Sequence, residues 1–213
     1  MSNRRIIALK VAVWLACLVP LGLLVWKALT DRLGANPIEV ITRSTGLWTL
    51  TYLMITLSIT PLRRLSGQAW MIRFRRLVGL FAFFYGCLHL TTYIWLDQFF
   101  DVHSMVKDVY KRPFITAGFT AWMLMLPLAL TSTAWAIRKL GGKKWQWLHR
   151  LVYLSASAGA IHFYWLVKKD VTVPVRYLAV LAVLLGARVA LWAWQRVRRV
   201  QAAAPALQTE AAD

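Results

Sequence analysis

The chain has 213 residues, of which 59% are hydrophobic and only 16% charged, and its mean hydropathy is +0.54. A soluble domain is about half apolar and about a quarter charged, so this composition excludes an ordinary soluble fold and assigns most of the chain to lipid. The net charge of +18 does not point to nucleic acid, because the basic residues stand in short clusters between long apolar runs, where membrane topology places them.

A membrane-crossing helix needs about 20 apolar residues. Six stretches meet or approach that length, at 9–29, 45–62, 77–96, 115–135, 148–167 and 174–194. The second is short and rich in threonine, and Thr60-Pro61-Leu62-Arg63-Arg64 stops it. The first follows MSNRRIIALK without an A-x-A-like cleavage site, so it reads as an uncleaved span. The expected fold is an all-α membrane protein, a six-helix transmembrane bundle with both termini cytoplasmic. Its parts are a short amino terminus (1–8), the bundle (9–196) and a small, polar tail (197–213) expected to be disordered.

Charge sets the orientation. Sixteen Lys and Arg residues fall at the amino terminus, after spans two and four, and in the tail; nine fall on the opposite side, together with six of the eight acids. The sixteen-rich side is read as cytoplasmic. Many of the twelve tryptophans lie near span ends, as interfacial belts require. Cys17 and Cys87 sit inside apolar runs without CxxC or Cys/His metal spacing and read as small buried hydrophobes.

Four histidines carry the chemistry. An ionisable ring inside a span is costly and points to function, although a lone one also serves as interhelical glue. His89 lies in span three and His162 in span five, both running outward, at about 18 and 21 Å from the inner surface by the helical rise. Two imidazoles at one level on two helices suit the axial ligation of a haem iron, and a six-coordinate iron passes electrons rather than binding substrate. Counting fourteen residues inward from this pair gives Arg75 and Leu148, so no second pair of histidines is evident. His149, with Arg75 and Arg76, suits an anionic group such as a flavin phosphate or a haem propionate; equally, the arginines are topology signals and His149 an interfacial residue. His103, in the external segment VHSMVKDVYKRP, reads as a solvated loop residue or a partner contact, and Arg188 in span six as a side chain snorkelling to the inner interface. No Asp or Glu falls within a span, which disfavours a transporter, and a matched pair of ligands disfavours an oxygen-reducing iron with an open position.

Four stretches carry a family resemblance: GLWTLTYLMITLSITPLRR, RFRRLVGLFAFFYGCLHLTTYIWLD, KRPFITAGFTAWMLMLPLALTST and WQWLHRLVYLSASAGAIHFYW. In combination they resemble the MsrQ (YedZ) family, the haem-binding membrane subunits of a bacterial periplasmic methionine sulfoxide reductase system, within the ferric-reductase-like transmembrane group. The resemblance implies a multi-pass protein of the bacterial inner membrane that holds haem b and FMN. It would carry electrons from the quinone pool or a cytosolic flavin reductase to a periplasmic molybdopterin-containing catalytic subunit. It places the haem ligands on His89 and His162 and matches His149 to the family's third histidine. The chain has no Gly-rich nucleotide fingerprint to place a flavin on named residues. The alternative is another ferric-reductase-like cytochrome b with a different electron acceptor.

Overall fold

The computed structural model describes residues 2–210; of the side chains in the final helix, those of residues 199, 200 and 202–210 lie outside the description. Nine α-helices follow one another, with no strand among the described residues. They are α1 (Asn3–Leu29), α2 (Pro37–Ser66), α3 (Ile72–Thr92), α4 (Val102–Lys111), α5 (Pro113–Leu130), α6 (Ala134–Leu140), α7 (Gly142–Leu148), α8 (Leu151–Leu166) and α9 (Thr172–Glu210). A 3-10 turn over Ala69–Met71 leads into α3, and a wide π turn over Tyr93–Asp97 ends it. Four segments are long and apolar enough to cross a membrane: Asn3–Leu29, Ala69–Asp97, Pro113–Leu130 and Thr172–Arg198. The chain is therefore an all-helical membrane protein. The expectation of a disordered tail falls largely on residues 202–213, whose side chains, and from 211 the backbone, lie outside the described residues.

Two helix pairs form the centre. α2 packs along α3, and α5 along α8, and the pairs meet through α3 with α5 and α2 with α8. Small side chains bring them together: Ala82, Ala156, Ala160 and Ser155 are fully buried, and Ser155 donates to the Ala121 carbonyl across α5 and α8 (2.9 Å). Apolar attraction between helices is weak when the solvent is also apolar, so close backbone approach and interhelical hydrogen bonds do this work. α1 and α9 lie against the outside of the pairs.

Proline interrupts α1, α2 and α5, and the breaks in α1 and α2 find partners on other helices. Proline lacks an N–H and crowds the preceding turn. Beside Pro20 in α1, the Tyr85 hydroxyl accepts from Leu21 N–H (3.1 Å) and donates to the Cys17 carbonyl (2.9 Å), which also accepts from the Tyr52 hydroxyl (3.1 Å). Tyr85 is only 1% exposed, and through this bridge it ties α1 to α3. In α2, Pro61 cannot donate to the Leu57 carbonyl; Arg188 of α9 does so instead, at 2.6 Å. In α5, Pro127 lies near the helix end, and the Thr131 hydroxyl returns a bond to its carbonyl (2.6 Å).

Three sequence expectations change. Span four ends at Leu130, not 135: Thr131 to Thr133 break the helix, and the Thr133 side chain caps the start of α6. The segment around His103 is not a loop but the helix α4, capped at its start by the Asp101 side chain, whose carboxyl the Ser104 hydroxyl and amide hold below the usual carboxylate range. Arg188 does not snorkel; its guanidinium turns inward onto Leu57 and the Tyr153 hydroxyl (2.8 Å).

Candidate functional site

His89 and His162 converge. Their ring centres are 6.1 Å apart, at 69° to one another, between α3 and α8. Each ring is fixed in the same way. His89 Nδ1 lies 2.9 Å from the Thr42 carbonyl on α2, and His162 Nδ1 lies 2.6 Å from the Phe114 carbonyl on α5. A carbonyl only accepts, so in both rings Nδ1 carries the proton and Nε2 keeps a free lone pair. That tautomer, set by a backbone acceptor, is the one that supports metal ligation through Nε2 and raises its basicity. With the ring centres 6.1 Å apart, the two imidazoles are close enough to hold one metal ion between them.

Each ring also rests on a glycine. A Cβ on Gly46 would stand 2.9 Å from His89 Cε1, and one on Gly118 would stand 2.8 Å from His162 Nδ1. The two cradles have one pattern. A helix offers the carbonyl of residue i to the imidazole N–H, and four residues on, on the same face, a glycine leaves room for the ring. The pattern reads Thr42 and Gly46 in TRSTG, and Phe114 and Gly118 in FITAG. Reading along the sequence missed both glycines, because a helix must be set beside its neighbour before a glycine can be seen to face a ring. Among the described residues no group of three or more His, Cys, Asp or Glu side chains comes together to hold a metal ion. Two imidazoles alone suit an iron whose remaining ligands belong to a macrocycle.

His149 and Arg75 come together elsewhere. They line a cavity of about 440 Å³ with Arg64, Arg150, Tyr153 and Arg188. His149 stacks on Trp145, with ring centres 3.9 Å apart, and its Nε2 lies 3.2 Å from the Thr131 hydroxyl. That hydroxyl already donates to Pro127, so it accepts from Nε2–H, and the free nitrogen of His149 is Nδ1. Arg76 is exposed and stands apart from the cavity, because adjacent residues on a helix point about 100° apart. Arg188 and Tyr153 join the site through the carbonyl that Pro61 frees, a connection that spans α2, α8 and α9 and leaves no local mark in the sequence.

The glycines differ in what they permit. Ala in place of Gly46 or Gly118 forces a methyl into an imidazole, and overpacking of this kind costs about 1–3 kcal/mol. At Gly22 and Gly186 a Cβ meets nothing within 4 Å, and Ala there gains up to about 1 kcal/mol of helix propensity. Thermal unfolding in detergent should therefore show Gly46→Ala and Gly118→Ala below the parent, and Gly22→Ala and Gly186→Ala at or above it. Equal midpoints for all four variants would remove the steric role of the cradle.

Comparison with known proteins gives one consistent answer. The family model for the ferric reductase like transmembrane component matches residues 44–160. The chain is 55% identical to the protein-methionine-sulfoxide reductase heme-binding subunit MsrQ of Herminiimonas arsenicoxydans, over 92% of this chain and 90% of the relative. It is 52% identical to the subunit of that name from Azospira oryzae, over 96% and 85%, and 50% identical to that from Bordetella pertussis, over 92% and 95%. The matched region contains most of α2, all of α5 and of the His89 helix, and the start of the His162 helix, so the chain belongs to the ferric-reductase-like transmembrane family and, within it, to the MsrQ heme-binding subunits.

Proposed function

We propose that this chain is a membrane electron conduit in which His89 and His162 are the axial ligands of one haem b. The observation that carries the reading is the pair of imidazoles 6.1 Å apart, each with Nδ1 committed to a backbone carbonyl. The surroundings fit such a group. Thr42 Oγ1 and Trp122 Nε1 are buried without a protein partner, and both lie within a helical turn of a cradle residue. A haem held by two histidines supplies one-electron transfer. The protein's own part is to fix the tautomer and direction of each ring, so that neither ligand reorients when the charge on the iron changes. The relatives are named as heme-binding subunits of a protein-methionine-sulfoxide reductase, which supports delivery of electrons to a separate catalytic subunit; in our reading that subunit is periplasmic and contains molybdopterin. Purified parent protein should show the paired α and β bands of a low-spin b-type haem after dithionite reduction. His89→Ala and His162→Ala should each lose most of the haem measured as pyridine haemochrome. Full haem content with an unchanged spectrum in either variant would remove that histidine from the ligand set.

The cavity at the other end is the proposed entry for electrons. Arg75 and His149 line it, with Arg188 and Arg64, and several guanidinium groups, which stay charged, favour a phosphorylated or anionic redox carrier. An FMN, a reduced quinone or a cytosolic flavin reductase are the donors that suit this chemistry. Arg75→Ala and His149→Ala should slow haem reduction by the physiological donor in membrane vesicles while dithionite still reduces the haem completely. Parental rates in both variants would leave these residues with topology alone.

The proposed topology is six spans in the bacterial inner membrane with both termini inside. α2 and α8 join the four apolar segments. α2 is 30 residues long, and four of its threonines spend their hydroxyls within the helix: Thr45, Thr49, Thr51 and Thr56 each donate to the carbonyl four residues back. Hydroxyls satisfied in this way cost little in lipid. α8 has only 16 residues but carries His162 against α5. Reporter fusions at residues 35, 70, 105, 142 and 171 should alternate out, in, out, in, out. A cytoplasmic signal at 105 would overturn the arrangement.

A further inference from the structure

α4 carries an apolar face that the rest of the chain leaves uncovered. At 100° per residue, Met105, Val109, Val102, Val106 and Tyr110 form one continuous arc of the helix, and His103, Lys107, Lys111, Ser104 and Asp108 occupy the remainder. The inner edge of the arc, Met105 and Val109, is partly covered, and α4 packs on α5. The outer edge, Val102, Val106 and Tyr110, is exposed, Tyr110 to 89%. Just ahead of the helix, Phe99 and Phe100 adopt φ of 48° and 62°, a left-handed conformation that bulky residues avoid, and both side chains are exposed, Phe99 to 76%.

We propose that α4, with Phe99 and Phe100, is an amphipathic helix seated in the headgroup layer of the bilayer. Three observations choose lipid as the occupant. α4 connects two segments long and apolar enough to cross the membrane, and each carries an exposed aromatic near the connection that faces lipid, Trp95 in the α3 segment and Phe119 on α5. Lys107 follows His103 just beyond the Tyr110 edge of the arc, where a lysine stem lies along acyl chains while its ammonium reaches phosphate. The patch is also small. Three side chains at one-turn spacing form a strip about 12 Å long on a helix about 10 Å across, on the order of 100 Å², far short of the roughly 800 Å² per partner that a stable protein interface buries.

The seat has a consequence for the histidine pair. Thr116 on α5 donates its hydroxyl to the Val109 carbonyl. Arg112, between the two helices, pairs with Asp108 (3.2 Å), and Asp108 also accepts from Tyr93 (3.4 Å) and Gln98 (3.3 Å) at the end of α3. α4 therefore links the start of α5, where the Phe114 carbonyl holds His162, to the segment that follows His89. An α4 fixed at the membrane surface fixes the outer ends of both ligand-bearing pairs.

The test uses full-length protein in nanodiscs of phosphatidylethanolamine and phosphatidylglycerol, with a photo-crosslinking benzoylphenylalanine placed at one position at a time. Illumination should attach lipid at positions 106 and 110, read as a lipid mass increment on the intact chain, with yields about fivefold above position 111 on the opposite face. Position 119 serves as the reference for a lipid-facing side chain. Equal yields at 106, 110 and 111 would overturn the proposal. So would absence of lipid adducts at 106 and 110 when 119 gives them. The same substitutions illuminated in native membranes should again give lipid adducts; a crosslink to a second protein chain at 106 or 110 would show a docking surface instead and overturn it. The assignment does not depend on the haem reading, since neither the readout nor the positions involve His89 or His162.

Discussion

The bond from each imidazole Nδ1 to a helix carbonyl is the constraint on which the site depends. A histidine facing the interior of an apolar bundle has two nitrogens to satisfy, and an unmet polar group in lipid costs several kcal/mol, about as much as any other single error the chain can make. Thr42 and Phe114 meet one nitrogen of each ring. The other nitrogen is then directed by geometry rather than left to choose among solvent partners. Gly46 and Gly118 follow from the same requirement, because a ring close enough to bond a helix carbonyl lies against that helix, and a side chain at the next turn would hold it off.

The same economy organises the rest of the bundle. Helix backbones normally satisfy themselves, so the polar groups available for interhelical contact are those released where a ladder is broken. Pro61 releases the Leu57 carbonyl and Arg188 takes it; Pro20 opens α1 and Tyr85 enters. Both repairs tie a peripheral helix to the central pairs, α9 to α2 and α1 to α3. The prolines thus act less as kinks than as sites of attachment. The cost of burying the Arg188 guanidinium is offset by the Tyr153 hydroxyl, by that ring's face at 5.0 Å, and by the cavity into which the group opens.

Much of this was legible in the sequence, for reasons of scale. Composition identified a membrane protein because lipid acts on every residue of a span. His89 and His162 stood out because ionisable groups in spans are rare, and equal depth along two helices running in one direction is simple arithmetic. What escaped depended on neighbours. Gly46 and Gly118 look like any small residue until the facing helix is in place. Arg188 was read as a snorkelling side chain because its partner, the Leu57 carbonyl, lies 131 positions away. α4 is a different case. Its apolar positions, Val102, Val106, Val109 and Tyr110, already keep helical spacing, but charged residues between them gave the segment the look of a loop.

Two kinds of fixation meet at the histidine pair, and they are unequal. His89 is held by α2, which packs along the whole of α3 and is tied at its inner end by Arg188. His162 is held by the carbonyl of Phe114, the second residue of α5, beside Pro113, where a helix end has the fewest bonds to its own backbone. The first turn of α5, whose N–H groups lack intrahelical partners, is held from outside by what precedes it, and here that is Arg112 and α4. The His89 side of the site is thus rigid by virtue of the bundle core, whereas the His162 side is rigid only as far as α4 is. Any change at this end of the bundle, whether of lipid or of an arriving partner, reaches His162 through the start of α5, and reaches His89 only through the Tyr93 and Gln98 contacts to Asp108 beyond the end of α3.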